Sequence, residues 1–339
     1  MELTESTVAT YLEDRGHLPT ADSATVTPLG GGVSNRVLAV HWDEAGVVVK
    51  QPLPELAVSD HWPADVARVH NEAAAMRVVR DMLEEIDDAP RVPEILFEDR
   101  DIHAIGMECA PTIASSWKEA LLAGDVDAAI AGRLGEILGV VHRKANDNEA
   151  IREQFSHTRP FEQLRLDPYH RTVARRHPDL AERIQIELER LMRTQTTLVH
   201  GDFSPKNVLV EPGDGTPRLW LIDFEVAHWG DPAFDVAFML NHLTIKSVFN
   251  HERQAQYLDA ADRFYASYTA SVPWSVEPAL FRELGILMLA RVDGKSPVEY
   301  VTNEKTREQL RRIAHRVLTQ EPQTLDDVRT YVEMEVNSS

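Results

Sequence analysis

The sequence contains a single cysteine, no long hydrophobic run and far fewer basic than acidic residues. Cys109 cannot form a disulfide within the chain, and no Cys/His spacing typical of structural zinc occurs. Apolar stretches such as 236–240 and 285–290 are far shorter than the ~20 residues needed to cross a bilayer. Residues 1–15 lack the basic start and apolar middle of a signal peptide. These absences predict a soluble protein of the reducing cytoplasm.

The charge balance excludes some partners. The 339 residues include 35 Lys and Arg against 55 Asp and Glu, a formal net charge of −20. Such an excess of acid disfavours binding to nucleic-acid phosphates or to an anionic membrane surface. It favours neutral or cationic partners, although a solubility role explains the same composition. We therefore expect no nucleic acid and no membrane as partner, and the oligomeric state is left open.

The first third of the chain is patterned as a small sheet with one helix. Short strand-like runs at 26–29, 36–41 and 47–51 are separated by turn signals that include the glycines at 30–32. Apolar residues then recur every three or four positions over 66–83, which predicts a long amphipathic helix. Two more strand-like runs complete about five antiparallel strands, and a short helix is expected at the N-terminus.

Helical patterns dominate after Pro111. Apolar stripes over 130–141, 181–192, 257–268 and 280–290 predict helices, interrupted by two brief β runs around residues 208–210 and 219–222. The boundary should fall between Ala110 and Ser115. The sequence thus predicts an α+β fold with a lobe at residues 1–110 and a mostly helical lobe at 111–339.

Two apolar strands deliver polar residues suited to phosphoryl transfer. In LVHGDFSPKNVLV, Asp202 follows a tight turn and Asn207 lies five positions later; in LWLIDFEVAHW, Asp223 leaves the next strand. On a hairpin these side chains could converge. Asn207 and Asp223 offer the hard oxygen ligands that Mg²⁺ prefers, and Asp202 is placed to accept a proton from an alcohol. Each residue taken alone could equally be a cap or a turn residue.

The combined pattern H-G-D-x-x-x-x-N followed by I-D-F-E resembles the motifs of the aminoglycoside phosphotransferase and choline kinase-like superfamily. This resemblance implies a protein-kinase-like two-lobed fold with a nucleotide cleft between the lobes. It implies transfer of the γ-phosphoryl group of ATP to a hydroxyl of a small molecule. Asp202 would be the base, Asn207 and Asp223 would bind Mg²⁺, and Glu225 would assist a second metal or the acceptor.

The resemblance also implies roles for residues of the first lobe. The loop LGGGVSNRV would cover the phosphates, through Gly31, Gly32, Val33, Ser34 and Asn35. Lys50, at the end of a strand, would hold the phosphates, with Glu72 of the following helix as its partner and Glu55 or Glu84 as substitutes. A plain hairpin, an exposed lysine and a solvated glutamate are the ordinary alternatives.

The strand at 102–108 resembles the segment that binds adenine through backbone groups, with Met107, Glu108 and Ala110 as candidates. His200 is expected to support the catalytic loop, and Asp235 to brace it or to begin a helix. Trp229 could form the floor of an acceptor pocket or pack in the protein core.

The sequence does not identify the acceptor molecule. The family implies aminoglycosides, amino alcohols or sugar-like molecules, and the acidic composition mildly favours a cationic one. The segment RVDGKSPVEY concentrates Arg291, Asp293, Lys295 and Glu299 and is either part of an acceptor pocket or a solvated connection. A protein kinase is disfavoured because HGD and DFE replace H-R-D and D-F-G and no A-P-E follows. A catalytically silent nucleotide-binding scaffold is the alternative from another class.

Overall fold

The computed structural model describes residues 1–30, 33–57 and 61–337 and shows two compact units. Unit 1 comprises Met1–Ala114 and Val210–Val226, and unit 2 comprises Ser115–Leu209 and the chain from Ala227 onward. The lobes predicted at 1–110 and 111–339 stay a prediction, and the packing differs from them in one respect. The segment Val210–Val226, predicted in the second lobe, belongs to unit 1.

A five-stranded antiparallel sheet forms the base of unit 1, in the order β1-β2-β3-β5-β4. The predicted small sheet with one long helix is confirmed. Valines of the central strand, such as Val47 and Val49, are buried in the core, as alternation in a half-buried strand requires. The elements are α1 (Val8–Asp14), β1 (Thr25–Pro28), β2 (Asn35–Trp42), β3 (Ala45–Pro52), α2 (Arg68–Leu83), β4 (Ile95–Asp99) and β5 (Ala104–Glu108).

Unit 2 is mostly helical, as predicted. Its first half holds β6 (Ser115–Ser116), α3 (Trp117–Ala123), α4 (Ala128–Ala145), α5 (Glu149–Gln154), α6 (Arg159–Phe161), a π-helical segment (Glu162–Arg171), α7 (Thr172–Arg176), α8 (Ala181–Arg193) and β7 (Thr197–Val199). The chain passes into unit 1 within β8 (Val208–Glu211), continues through β9 (Arg218–Leu221) and returns at β10 (His228–Gly230), which pairs with β7. The remaining helices are α9 (Pro232–Phe249), α10 (Gln254–Ser271), α11 (Ala279–Asp293), α12 (Glu304–Gln320) and α13 (Leu325–Asn337).

Backbone hydrogen bonds explain why the segment with β9 belongs to unit 1. The amide of Arg91 donates to the carbonyl of Leu219 at 2.7 Å, and the amide of Leu221 donates to the carbonyl of Arg91 at 2.8 Å. The Arg91 guanidinium also lies 5.3 Å from the centre of the Trp220 ring. These contacts attach β9 to unit 1, an association that local sequence patterns do not reveal.

Helix α9 lies at the centre of unit 2. Its N-cap, Asp231, accepts a hydrogen bond from the amide of Ala233 at 2.9 Å, and Pro232 occupies the first helical position. Almost every residue of this helix is buried, because α10, α11, α12 and α13 all pack against it. In the part of the chain that the structure covers, no helix combines the length and the apolar character that a membrane crossing demands.

The packing of α4 against α10 generates a stability prediction. A Cβ at Gly135 would lie 2.0 Å from the backbone oxygen of Phe264, which cannot move away without shifting α10. Gly135→Ala should therefore lower the free energy of unfolding by about 1–3 kcal/mol. Urea denaturation measures it, with Gly132→Ala on the same helix as control.

At Gly132 the nearest atoms belong to the flexible side chain of Arg263, the closest at 3.0 Å. The control should leave stability unchanged or raise it by up to about 1 kcal/mol, because alanine is the better helix former. Equal effects of the two substitutions would contradict close backbone packing at Gly135.

Candidate active site

Lys50 is the centre of a buried charge cluster in unit 1. Its ammonium lies 2.6 Å from Oδ1 of Asp223 and 2.8 and 2.7 Å from the two carboxylate oxygens of Glu72. Strand β3 supplies Lys50, α2 supplies Glu72, and the segment after β9 supplies Asp223. The expected partner of Lys50 is thus the one observed, whereas the substitute Glu55 pairs with His61 at 2.7 Å and Glu84 is exposed.

Burial and charge act against each other in this cluster. Burial by itself would lower the pKa of Lys50, but the carboxylates of Asp223, Glu72 and Glu225 outweigh it and raise that pKa. Burial raises the pKa of Glu72 to about 7, with Lys50 opposing and the neighbouring carboxylates adding to the rise. Lys50 therefore stays charged, and the cluster has one ammonium shared among several acids.

Asp223 occupies an uncommon backbone conformation, with φ of 70°. This left-handed region is rare for residues other than glycine, although aspartate tolerates it better than most. The conformation ends the β9 strand sharply, and the carboxylate that follows meets Lys50. The predicted site residue Asp223 therefore lies just beyond the end of β9, where the chain changes direction.

Glu225 is enclosed by donors of the glycine-rich loop and of α2. Its buried carboxylate accepts hydrogen bonds from Oγ of Ser34 at 2.8 Å, Nδ2 of Asn35 at 2.8 Å and Nε of Arg68 at 3.0 Å. Burial would raise the pKa of Glu225, but Lys50, Arg68 and Asn35 together lower it. This carboxylate is therefore held ionised by a dedicated set of partners.

Arg68 is a buried connector that the sequence analysis missed. It is 1% exposed, and besides Glu225 it donates to the carbonyls of Ser34, Leu53 and Asp65. It thereby joins the glycine-rich loop, the end of β3 and the start of α2. An arginine at the start of a helix looks like a solvated residue in sequence, and no local pattern distinguishes it.

The carboxylates of unit 1 have the chemistry of a magnesium site. One oxygen from each of Glu72, Asp223 and Glu225 lies within 4.8 Å of the others, and carboxylate oxygens are the ligands that Mg²⁺ prefers. Glu225 is already occupied by three donors, so Asp223 fits a metal better than Glu225 does. The metal roles of both residues stay predictions.

In unit 2 the HGD turn is held by Asp235. The amides of His200 and Gly201 donate to its two carboxylate oxygens at 2.7 and 2.8 Å, and Nε2 of His142 lies 3.3 Å away. Burial would raise the pKa of this fully buried acid, but His142, His200 and the backbone bond lower it. Gly201 has φ of 77°, which favours glycine. Asp235 lies in the first turn of α9, where a negative charge is also favoured.

Asp202 is fixed by two side chains. Nδ2 of Asn207 donates to its Oδ2 at 2.7 Å and to its carbonyl at 2.9 Å, and Nη2 of Arg165 lies 3.0 Å from Oδ2. Arg165 also donates to the carbonyl of Gly201 at 2.9 Å. His200 accepts from the amide of Asp202 at 3.2 Å, a supporting contact of the kind expected for it. The structure brings Asp202 and Asn207 together, and it adds Arg165, which the sequence analysis did not name.

The other predicted site residues are distributed as follows. Gly31 and Gly32 lie outside the described residues, and Val33 is 41% exposed. Met107 is buried in β5 opposite Val48, and Glu108 ends that strand within 3.3 Å of Arg91 and of the amide of Glu94. Ala110 is half-buried beyond the strand. Their proposed contacts with adenine stay predictions.

Trp229 and Cys109 are the remaining residues that the sequence singles out. Trp229 is buried, and its amide donates to the carbonyl of Phe155 at 2.8 Å within unit 2. Burial, followed by the charge of Glu108, raises the pKa of Cys109 to about 11. A thiol with so high a pKa is a poor nucleophile at neutral pH.

Comparison with known proteins finds a matching family and related kinases. Residues 25–274 match the family model described as the phosphotransferase enzyme family. A methylthioribose kinase from Bacillus cereus is 20% identical over 282 residues, which cover 76% of this chain and 69% of that protein.

Two solved structures share the fold. A microcompartment-associated aminopropanol kinase superposes with a TM-score of 0.59 at 15% identity, over 94% of this chain and 99% of its own. The GDP complex of aminoglycoside 2'-phosphotransferase-IIIa gives 0.51 at 12% identity, over 99% of each chain. The resemblance and the kinase-like fold expected from the sequence are confirmed.

The pairing of Arg68 with Glu225 generates a prediction about stability. Arg68→Met leaves a buried carboxylate without its cation and should lower the free energy of unfolding by about 3–5 kcal/mol. Adding Glu225→Gln removes that unpaired charge, so the double variant should be more stable than Arg68→Met alone. Urea denaturation of the four proteins in this cycle measures the coupling, and additive effects of the two substitutions would show that the pair is not coupled.

Proposed function

This chain belongs to the phosphotransferase enzyme family and is a small-molecule kinase, and from that premise we propose that it transfers the γ-phosphoryl group of ATP to a hydroxyl of its acceptor, with Mg²⁺ and with Asp202 as base. The observation that carries the proposal is the buried ion-paired cluster of Lys50, Glu72 and Asp223. Such a cluster presents a fixed positive charge with an acid partner, which phosphate binding requires.

The proposed nucleotide-binding residues lie in unit 1. Lys50 binds phosphate oxygens, and Glu72 keeps its ammonium in place at 2.7 Å. The loop of Gly31, Gly32, Val33, Ser34 and Asn35 covers the phosphates, and Ser34 and Asn35 are anchored to Glu225. Adenine contacts the segment of Met107, Glu108 and Ala110. Glu225 then acts as the anchor of the phosphate-covering loop, with a direct metal contact as the less favoured role.

Asp223 and Asn207 are the proposed ligands of Mg²⁺. When bound, this ion neutralises the charge of the nucleotide phosphates. Asn207 directs its amide nitrogen to Asp202, which leaves the amide oxygen as its ligand atom. The left-handed backbone of Asp223 holds the carboxylate at the end of β9.

Asp202 is the proposed proton acceptor. It takes the proton of the acceptor hydroxyl as the bond from that oxygen to the γ-phosphorus forms and the bond to ADP breaks. Arg165 and Asn207 orient its carboxylate, and Asp235 fixes the turn that carries it. The role of Asp235 is therefore positioning, through the backbone of His200 and Gly201.

The first test removes the base. Asp202→Asn keeps the size of the side chain but cannot accept the proton, so kcat should fall about 10²- to 10⁴-fold. Affinity for ADP should change little because the nucleotide residues lie in unit 1. A coupled assay of ADP release and calorimetry with ADP measure the two quantities. Asp214→Asn, in an exposed turn of the chain, is the matched control. Full turnover by Asp202→Asn would remove this mechanism.

A second test concerns the metal. Asp223→Asn removes a proposed ligand and also frees Lys50 from a carboxylate 2.6 Å away. Affinity for ADP in the presence of Mg²⁺ should therefore fall at least about tenfold, whereas affinity for ADP in excess EDTA should stay equal or improve. Calorimetry under both conditions measures this difference. A loss of equal size with and without Mg²⁺ would argue that Asp223 holds no metal.

A further inference from the structure

Unit 2 contains a basic cluster that the roles above do not use. It consists of Lys118 on α3, Lys206 after the HGD turn, Lys246 on α9 and Arg291 on α11, whose charges all act on His242. Burial, and then the charges of these four cations, lower the pKa of His242 well below its usual range. Cations from four parts of the chain are thus close enough to act on one buried side chain.

Lys246 is the most buried member of this basic cluster. It is 1% exposed, and its ammonium donates only long hydrogen bonds, to the carbonyl of His242 at 3.5 Å and to the hydroxyl of Tyr300 at 3.4 Å. Within residues 1–30, 33–57 and 61–337, no Asp or Glu oxygen lies within 4.0 Å of it. Burial and the charges of Lys118 and Arg291 lower its pKa to about 7. A buried cation without an anion is costly, so an anion bound beside Lys246 from outside the chain would favour its charged form.

Arg291 likewise has only uncharged hydrogen-bond partners among the described residues. Its Nη1 donates to the hydroxyl of Tyr169 at 3.1 Å and to the carbonyl and hydroxyl of Ser296 at 2.6 and 3.1 Å, all of them uncharged groups. Its buried Nε has no hydrogen-bond partner among the described residues. Glu299 is the acid beside the cluster; it pairs with Lys118, and its own side chain is 65% exposed. The exposed carboxylate of Glu299 pairs with Lys118 and leaves the charges of Lys246 and Arg291 without an ion pair among the described residues.

The basic cluster is continuous with Asp202. The Arg165 guanidinium that pairs with Asp202 lies 5.7 Å from the centre of the Phe238 ring, and that ring lies 5.4 Å from the ring of His242. On the other side, Arg165 lies 5.8 Å from the centre of the Tyr169 ring, whose hydroxyl binds Arg291. A single layer of side chains therefore leads from the proposed base to the cations.

We propose that the acceptor of this chain carries an anionic group, a carboxylate or a phosphate, and that Lys246 and Arg291 bind that group while its hydroxyl is presented to Asp202. This inference rests on the proposed function. Two charge-assisted hydrogen bonds would give the acceptor both affinity and orientation. An ammonium group in the same place would be repelled by Lys118, Lys246 and Arg291.

The first experiment tests anion binding without turnover. Thermal unfolding is followed with and without sulfate, in the presence of saturating ADP and Mg²⁺, for the unaltered chain, Lys246→Met and Lys144→Met. Lys144 lies exposed at the end of α4 and serves as the control for general salt stabilisation. Sulfate should raise the midpoint of the unaltered chain and of Lys144→Met by several degrees more than that of Lys246→Met. Equal rises in all three proteins would overturn the proposal.

Lys246→Met should fold well, because it replaces a buried charge with an apolar side chain of similar length. Lys118→Met is the second variant, at a partly exposed position, so a folding defect at Lys246 would not decide the result. Its sulfate-dependent rise should also be smaller than that of the unaltered chain.

The second experiment identifies the chemical class of the acceptor. A polar metabolite extract is separated by ion exchange into anionic, neutral and cationic fractions, and each is incubated with the chain and γ-labelled ATP. Label should enter the anionic fraction, and Lys246→Met should lower that rate at least about tenfold at low acceptor concentration. Label confined to the neutral or cationic fraction would overturn the inference.

One further treatment distinguishes an acceptor phosphate from an acceptor carboxylate. Treating the anionic fraction with a phosphatase before the assay removes acceptors that carry a phosphate, so surviving activity indicates a carboxylate. Transfer to none of the fractions would count against the proposed function, while the sulfate experiment would still decide whether the basic cluster binds an anion.

Discussion

The ammonium of Lys50 is the interaction on which the site in unit 1 depends. Glu72 is distant in sequence from Asp223 and Glu225, and these closely placed carboxylates would repel one another without a cation among them. Lys50 compensates the first two directly, and Arg68 compensates the third. Because the segment after β9 supplies two of these acids, the ion pairs of the proposed phosphate site also help to hold Val210–Val226 in unit 1.

In unit 2 the buried carboxylate is compensated mainly by backbone amide groups. Asp235 is fully buried, yet two amide groups and His142 satisfy its charge, and the start of α9 adds the favourable field of a helix N-terminus. The turn that carries Asp202 is thereby tied to the most buried helix of the unit. In both units the reactive groups are held by residues that would not themselves touch a substrate, and this is the arrangement that gives positional accuracy.

The sequence predicted the fold and the ends of its strands well, because alternation and helical stripes are local signals. The pairing of Lys50 with Glu72 followed from the resemblance to the kinase-like superfamily, which places such an acid on the helix after the lysine strand. Arg68 and Arg165 could not be found in this way. Arg68 joins β3, α2 and the glycine-rich loop, and Arg165 lies in a π-helical segment interrupted by Pro168, so the roles of both depend on contacts distant in sequence. The role of Glu225 toward a second metal or the acceptor stays a prediction, and its three donors, all more than 150 residues away in sequence, likewise have no local signal.

Net charge is a property of the whole chain and does not report the charges around one site. The value of −20 favours a cationic acceptor, but a bound molecule responds to the charges within about 8–10 Å of it, because salt screens exposed charges beyond that distance. The charges that act on His242 include those of Lys118, Lys206, Lys246 and Arg291. Lys246 is buried, so its field is strong where water is scarce. The sign that we propose for the acceptor therefore rests on these local charges and not on the composition of the whole chain.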